Sequence, residues 1–167
     1  VKRIIEIEKD NFKHVEIVIT NLCIIQALAE LLPDDVYAAR IPKKRIASSL
    51  LCFDDAARIL IVKPTYRADW LLPGGITEKD EAPATTALRE ASEELGIVIK
   101  PLRLLCVMWQ IKTRLPGDSL NFIFEGGVLD ATQIAQIQLP ADELSEYRFV
   151  SFEVAALLLP SVLVTGV

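Results

Sequence analysis

Three glutamates, Glu90, Glu93 and Glu94, crowd together inside the stretch PATTALREASEELGI. Glu90 and Glu94 stand four residues apart, where like charges destabilise an isolated helix by about 0.2–0.5 kcal/mol. Glu93 and Glu94 also fall in the last turn, where the helix dipole disfavours anions by about 0.3–1 kcal/mol each. Arg89 offsets part of this through an i to i+4 pair with Glu93 and leaves the remaining charge without a local cation. Oxygen-rich clusters on short spacing suit Mg²⁺ or Mn²⁺. The chemistry expected of these residues is therefore the holding of a hard divalent cation.

The elements that position them follow from the local sequence. Pro83 suits the first turn of a helix, and Gly96 suits the left-handed position just past a helix end, so residues 83 to 95 are predicted to be helical. At about 100° per residue, Ala84, Ala87, Leu88, Ala91 and Leu95 form an apolar stripe, with the three glutamates gathered on another side. Just before the helix, Pro73-Gly74-Gly75 leaves the backbone open to a ligand or a metal. Strand-like runs surround this unit: ASSLLCF, ARILIVKPTY and WLLPGG before it, then IVI, RLLCVMWQIKT, LNFIFEGGVL and EYRFVSF. EVAALLL reads as a short helix ended by Pro160. In residues 1 to 46, HVEIVIT reads as a strand and NLCIIQALAELL as a helix, an N-terminal extension that could serve as a layer, lid or dimer contact. The triplet Lys43-Lys44-Arg45 is expected to be a solvated surface.

The whole chain, 167 residues with 51% hydrophobic and 25% charged, has the composition of a globular protein. A net charge of -5 and a pI near 5.0 argue against a general nucleic-acid or membrane-surface binder, since either needs a basic face. Cys23, Cys52 and Cys106 are odd in number and far apart, which fits neither a disulfide framework nor a zinc cluster and favours a cytoplasmic, reducing compartment. The longest apolar stretches, Asn21 to Leu32 and Val154 to Val167, are too short for a membrane span.

Residues 75 to 97 resemble the Nudix box: Gly75, Glu81, Arg89, Glu90, Ala91, Glu93, Glu94, Gly96 and Ile97 fill its specified positions, with Ala91 smaller than the usual Ile, Leu or Val. The strand-like segments from about Ala47 to Phe152 also follow the order of the Nudix fold. The resemblance implies an α+β fold, a mixed β-sheet in an α/β/α sandwich, with the hydrolase domain at 47–167. It implies hydrolysis of a nucleoside diphosphate linked to another group, a small-molecule nucleotide substrate. It implies that Glu90, Glu93 and Glu94, joined by the Gly75 carbonyl, bind Mg²⁺ or Mn²⁺, that Arg89 holds a box glutamate in place, and that Glu81 supports. Homodimers are common in the family, and the apolar N-terminal segment or the C-terminal tail could supply such a contact.

Metal-assisted hydrolysis needs a general base, drawn in this family from the box or from a later loop. The candidates are Glu90 and Glu143, with Glu146 as the alternative. Lys63, Tyr66, Arg67 and Trp70 precede the glycine pair but stay outside the expected site. Flanking markers of the ADP-ribose, dinucleoside polyphosphate and coenzyme A subfamilies are mostly absent, so the substrate stays open, a nucleotide such as a nucleoside triphosphate or a nucleotide sugar. The competing expectation is a catalytically silent Nudix-fold module that binds or senses a nucleotide. A complete set of Arg89, Glu90, Glu93 and Glu94 weighs against it, because a pure binder has no need of one.

Overall fold

The computed structural model describes residues 33–100, 103–111 and 117–160. The strand expected at HVEIVIT and the helix expected at NLCIIQALAELL lie outside the described residues. The chain divides into two compact units, Val1–Lys43 and Lys44–Val167. In the first, helix α1 spans Asp34–Arg40, with Asp34 and Asp35 in its first turn and Arg40 in its last. Those charges complement the helix dipole, a signal that the strand and helix reading of residues 1 to 46 passed over.

The second unit is built on a six-stranded mixed sheet. Its strands are β1 (Arg45–Phe53), β2 (Ile59–Pro64), β3 (Gly74–Ile76), β4 (Leu104–Gln110), β5 (Ser119–Val128) and β6 (Leu144–Val150). The order is β4-β5-β1-β2-β6, with β3 paired to β1. β1 and β5 run parallel, Arg45 opposite Ser119, and the other pairings are antiparallel. The helices are α2 (Pro83–Leu95), α3 (Ala131–Ala135) and α4 (Phe152–Leu158).

Two buried clusters flank the sheet. β2 shows why: Leu60 and Val62 enter one cluster and Ile59 and Ile61 the other, the two-residue alternation of a strand covered on both faces. Ala87, Ala91 and Leu95 of α2 complete the first cluster, and Ala155 of α4 joins the second. The sheet therefore carries α2 on one face and α4 on the other.

Several details depart from the sequence reading. WLLPGG is not one strand: Leu71 makes an isolated bridge to Val62, and β3 begins only at Gly74. Ile97 and Ile99 are buried in the first cluster without forming a strand; their side chains serve as core while the backbone follows the helix end. α3 was not expected, although Asp130 and Gln133 form a complete capping box at its start. The basic triplet is more than a wet surface, since Lys44 pairs with Asp118 at 2.5 Å and the Arg45 guanidinium donates to the Gly117 carbonyl at 3.1 Å. No helix among the described residues is long and apolar enough to cross a membrane.

Candidate active site

Helix α2 begins at Pro83 and stops at Gly96, whose φ of 69° is left-handed and whose N–H bonds the Ser92 carbonyl. Of the apolar stripe, Ala87, Ala91 and Leu95 are fully buried, whereas Leu88 is 36% exposed. Glu94, seven residues past Ala87 and so on the buried face, is only 7% exposed. The expectation that the three glutamates share one wet side is thus corrected. Glu93 points outward, its side chain 55% exposed, and Glu90 lies between, at 13%.

Arg89 organises the outer part of this group. Its Nε donates to Glu81 Oε1 at 2.9 Å and its Nη2 to Glu81 Oε2 at 3.1 Å, a two-pronged grip. The same Nη2 reaches the Ile76 carbonyl at 3.2 Å, and Nη1 donates to Glu90 Oε1 at 2.9 Å and to Glu93 Oε2 at 2.8 Å. Glu81 also accepts from the Glu78 N–H and from the Thr86 hydroxyl. The hydrogen bonds from Arg89, then that from Glu78, hold the Glu81 carboxyl down at about 2. Glu81 therefore stays charged and anchors the arginine. Thr86, fully buried and five residues past Glu81, was missed by sequence reasoning; its position in the first helical turn was the available signal.

The inner part is organised by β3. The Gly74 N–H donates to Glu94 Oε2 at 2.7 Å. A methyl group placed on Gly75 would stand 2.4 Å from Glu90 Oε1, so the glycine leaves room for that carboxylate. Burial, and after it repulsion from Glu90, Glu143 and Glu93, pushes Glu94 up to about 8 against the Gly74 hydrogen bond. Glu90 is raised for the same first reason, with Arg89 opposing and Glu93 and Glu143 adding to the rise.

Glu143, far away in sequence, acts on both of these carboxyls. Its loop is clipped to the end of β2: the Thr65 N–H donates to the Glu143 carbonyl at 2.9 Å, and the Thr65 hydroxyl to the Asp142 carbonyl at 2.9 Å. Glu146 is placed differently. It stands opposite Lys63 and accepts from Arg148 Nε at 2.5 Å. Arg148 in turn lies 4.7 Å from the centre of the Trp70 ring, in the cluster on the α4 face. Glu90 and Glu94 meet at β3, the Glu143 charge adds to the repulsion that raises both, and Glu146 belongs to the other face.

Among the described residues no three His, Cys, Asp or Glu side chains already converge as a finished metal cage. Arg89 Nη1 takes one oxygen each of Glu90 and Glu93. The donor set nonetheless fits a hard divalent cation: it is all oxygen, and a buried carboxyl carries negative neighbours whose mutual repulsion such a cation would relieve.

Comparison with known proteins agrees with this architecture. A family profile described as NUDIX domain matches residues 43–163. A diphosphoinositol polyphosphate phosphohydrolase of Homo sapiens is 39% identical over 75 residues, 43% of this chain and 40% of that protein. The chain thus spans about two fifths of the length of that curated relative. A MutT protein from Methanosarcina mazei Go1 shares 25% identity, with a TM-score of 0.62 over 74% of this chain and 91% of its own. A UDP-X diphosphatase shares 25% identity, with a TM-score of 0.59 over 77% of this chain and 59% of its own. The mixed α+β fold described above is the one these structures share.

Proposed function

Because this chain belongs to the NUDIX domain family, we propose that it is a metal-dependent hydrolase that cleaves a diphosphate bond in a nucleoside diphosphate linked to another moiety. The observation that carries the reading is the seating of Glu90 and Glu94 of α2 against the glycines of β3, where the Gly74 N–H donates to Glu94 Oε2 at 2.7 Å and the Cβ position of Gly75 lies 2.4 Å from Glu90 Oε1. The relatives support the bond type, since one is named for a diphosphoinositol polyphosphate and another for a UDP-linked diphosphate.

Glu90, Glu93, Glu94 and the Gly75 carbonyl would hold Mg²⁺ or Mn²⁺. Bound there, such an ion screens the phosphate oxygens and makes nearby water more acidic. The rest falls to the chain. Gly74 fixes one oxygen of Glu94, and Arg89 ties Glu93 to Glu81 and, until a cation binds, holds Glu90 as well. Glu143 takes the proton of the attacking water at its carboxylate, with Glu90 as the alternative base. The water oxygen bonds to one phosphorus as the bridging P–O bond breaks, and the second phosphate leaves with the bridging oxygen.

We assign this activity to Lys44–Val167 and place it in the reducing cytoplasm. The second placement is supported by the free thiols of Cys52 and Cys106. The substrate is a small nucleotide rather than a nucleic acid or a membrane, in keeping with the net charge of -5.

The test is turnover of a panel of nucleoside triphosphates, nucleotide sugars and other nucleoside diphosphate derivatives with Mg²⁺ or Mn²⁺, run beside Glu94→Gln. Metal-dependent release of phosphate products by the native chain, lost in the variant by about 100-fold or more, is the expected result. Absence of turnover on every member, or equal turnover by the variant, would leave the nucleotide-binding module as the better reading.

A further inference from the structure

Ser48, in the middle of β1, is 0% exposed, and its Oγ has no hydrogen-bond partner. Native folds satisfy nearly all such buried groups, and one left open calls for a water, an ion or a reacting group that completes it.

The direction of the Ser48 side chain says which. Leu50, two residues on, packs in the cluster with Ala87, Ala91 and Leu95 of α2, so strand alternation turns Ser48 to the same face. Across the β1–β3 pairing Ser48 stands directly opposite Gly75. Opposed residues on an antiparallel pair project to one face, their Cβ positions about 4.5–5.5 Å apart. The Cβ position at Gly75 lies against Glu90, 2.4 Å from Oε1 and 2.8 Å from Oε2. The unanswered hydroxyl therefore neighbours the Glu90 carboxylate, on a stretch of sheet that Gly75 keeps clear.

We infer that Ser48 is a positioning residue of the carboxylate site, its hydroxyl donating to Glu90 when that carboxylate leaves Arg89 to hold the divalent cation. Glu90 has two calls on it in this arrangement. Without the cation Arg89 Nη1 takes Oε1; with it, Ser48 supplies a donor that carries no charge and does not compete with the cation. This inference rests on the metal-site reading above and extends it to β1, outside the Nudix box.

The experiment uses the full chain and Mn²⁺ alone, with free Mn²⁺ followed by electron paramagnetic resonance and the metal-free Tm measured in parallel. Ser48→Ala should weaken Mn²⁺ binding about tenfold, the effect of one hydrogen bond to a charged group. Its metal-free Tm should hold or rise, because an unpaired buried hydroxyl has been removed. In a Glu90→Gln background the same substitution should have no further effect on Mn²⁺ affinity, since coupled residues are not additive. Native affinity in Ser48→Ala, full additivity with Glu90→Gln, or a loss of affinity matched by a fall in metal-free Tm would each overturn the inference. If the native chain itself binds no Mn²⁺, the metal-site reading falls first and takes this one with it.

Discussion

The Arg89 guanidinium grips the Glu81 carboxylate with two hydrogen bonds, of 2.9 and 3.1 Å, and turns its remaining donors to Glu90, Glu93 and the Ile76 carbonyl. One planar cation thus sets the spacing of three carboxylates. A lysine keeps the charge but has no fork with which to span them. Arg89→Lys is expected to lower kcat/KM by about 10–100-fold, as loss of groups supporting metal ligands does, while the fold survives. Steady-state kinetics beside a Tm measurement checks both halves.

In the metal-free chain Glu94 is pushed from its ordinary 4.5 up to about 8, by burial first and then by Glu90, Glu143 and Glu93. Between about pH 4.5 and about pH 8 the folded chain keeps a proton that the unfolded chain has released. This residue therefore makes the metal-free fold less stable as pH rises through that window. Tm measured against pH in EDTA should show the decline, Glu94→Gln should flatten it, and Mg²⁺ or Mn²⁺ should oppose it in the native chain alone.

Gly74 and Gly75 make a pair of neighbours with opposite readouts. A methyl on Gly75 would press on Glu90, a side-chain end that can move. Gly75→Ala should accordingly cost activity by about 10–100-fold with little change in Tm. A methyl on Gly74 would lie 2.1 Å from the Ser48 carbonyl and 2.6 Å from the Ser49 Cα, and its φ of 145° is one that glycine alone adopts readily. Gly74→Ala should lower Tm sharply, and circular dichroism melts of the two variants distinguish them.

Glu143 and Glu146 are three residues apart, yet only Glu143 acts on Glu90 and Glu94, while Glu146 is engaged by Arg148. Glu143→Gln should lower kcat by about 10²–10⁴, the contribution of a positioned general base. Glu146→Gln, losing one exposed ion pair of small worth, should stay within about twofold. Parallel kcat measurements decide between the loop carboxylate and the strand carboxylate.

Much of this arrangement was legible in the residues themselves. Pro83 and Gly96 marked the ends of α2, and the i to i+4 spacing of Arg89 and Glu93 gave their ion pair. The burial of Glu94 was written there too, because Glu94 is seven residues past Ala87, two helical turns on, and so on the apolar stripe; its charge hid the periodicity. What no local pattern carries is tertiary pairing. The parallel alignment of β1 with β5, the clip from Thr65 to Glu143, and the turn of Glu146 to the α4 face depend on contacts between segments more than seventy residues apart. Ser48 is of the same kind, since nothing in RIASSLLCF marks that serine as facing the box.

Placing β5 beside β1 has a consequence for the order in which the molecule is made. The whole box leaves the ribosome before Ser119, where the strand that flanks β1 on one side begins, and well before Glu143 and β6. Long-range pairings of this sort form late, because closing the intervening loop must precede any gain from the contact. A nascent chain therefore carries all its box carboxylates for some time without the sheet that aligns them. Alignment of the box therefore waits until β5 has closed onto β1 and β6 onto β2.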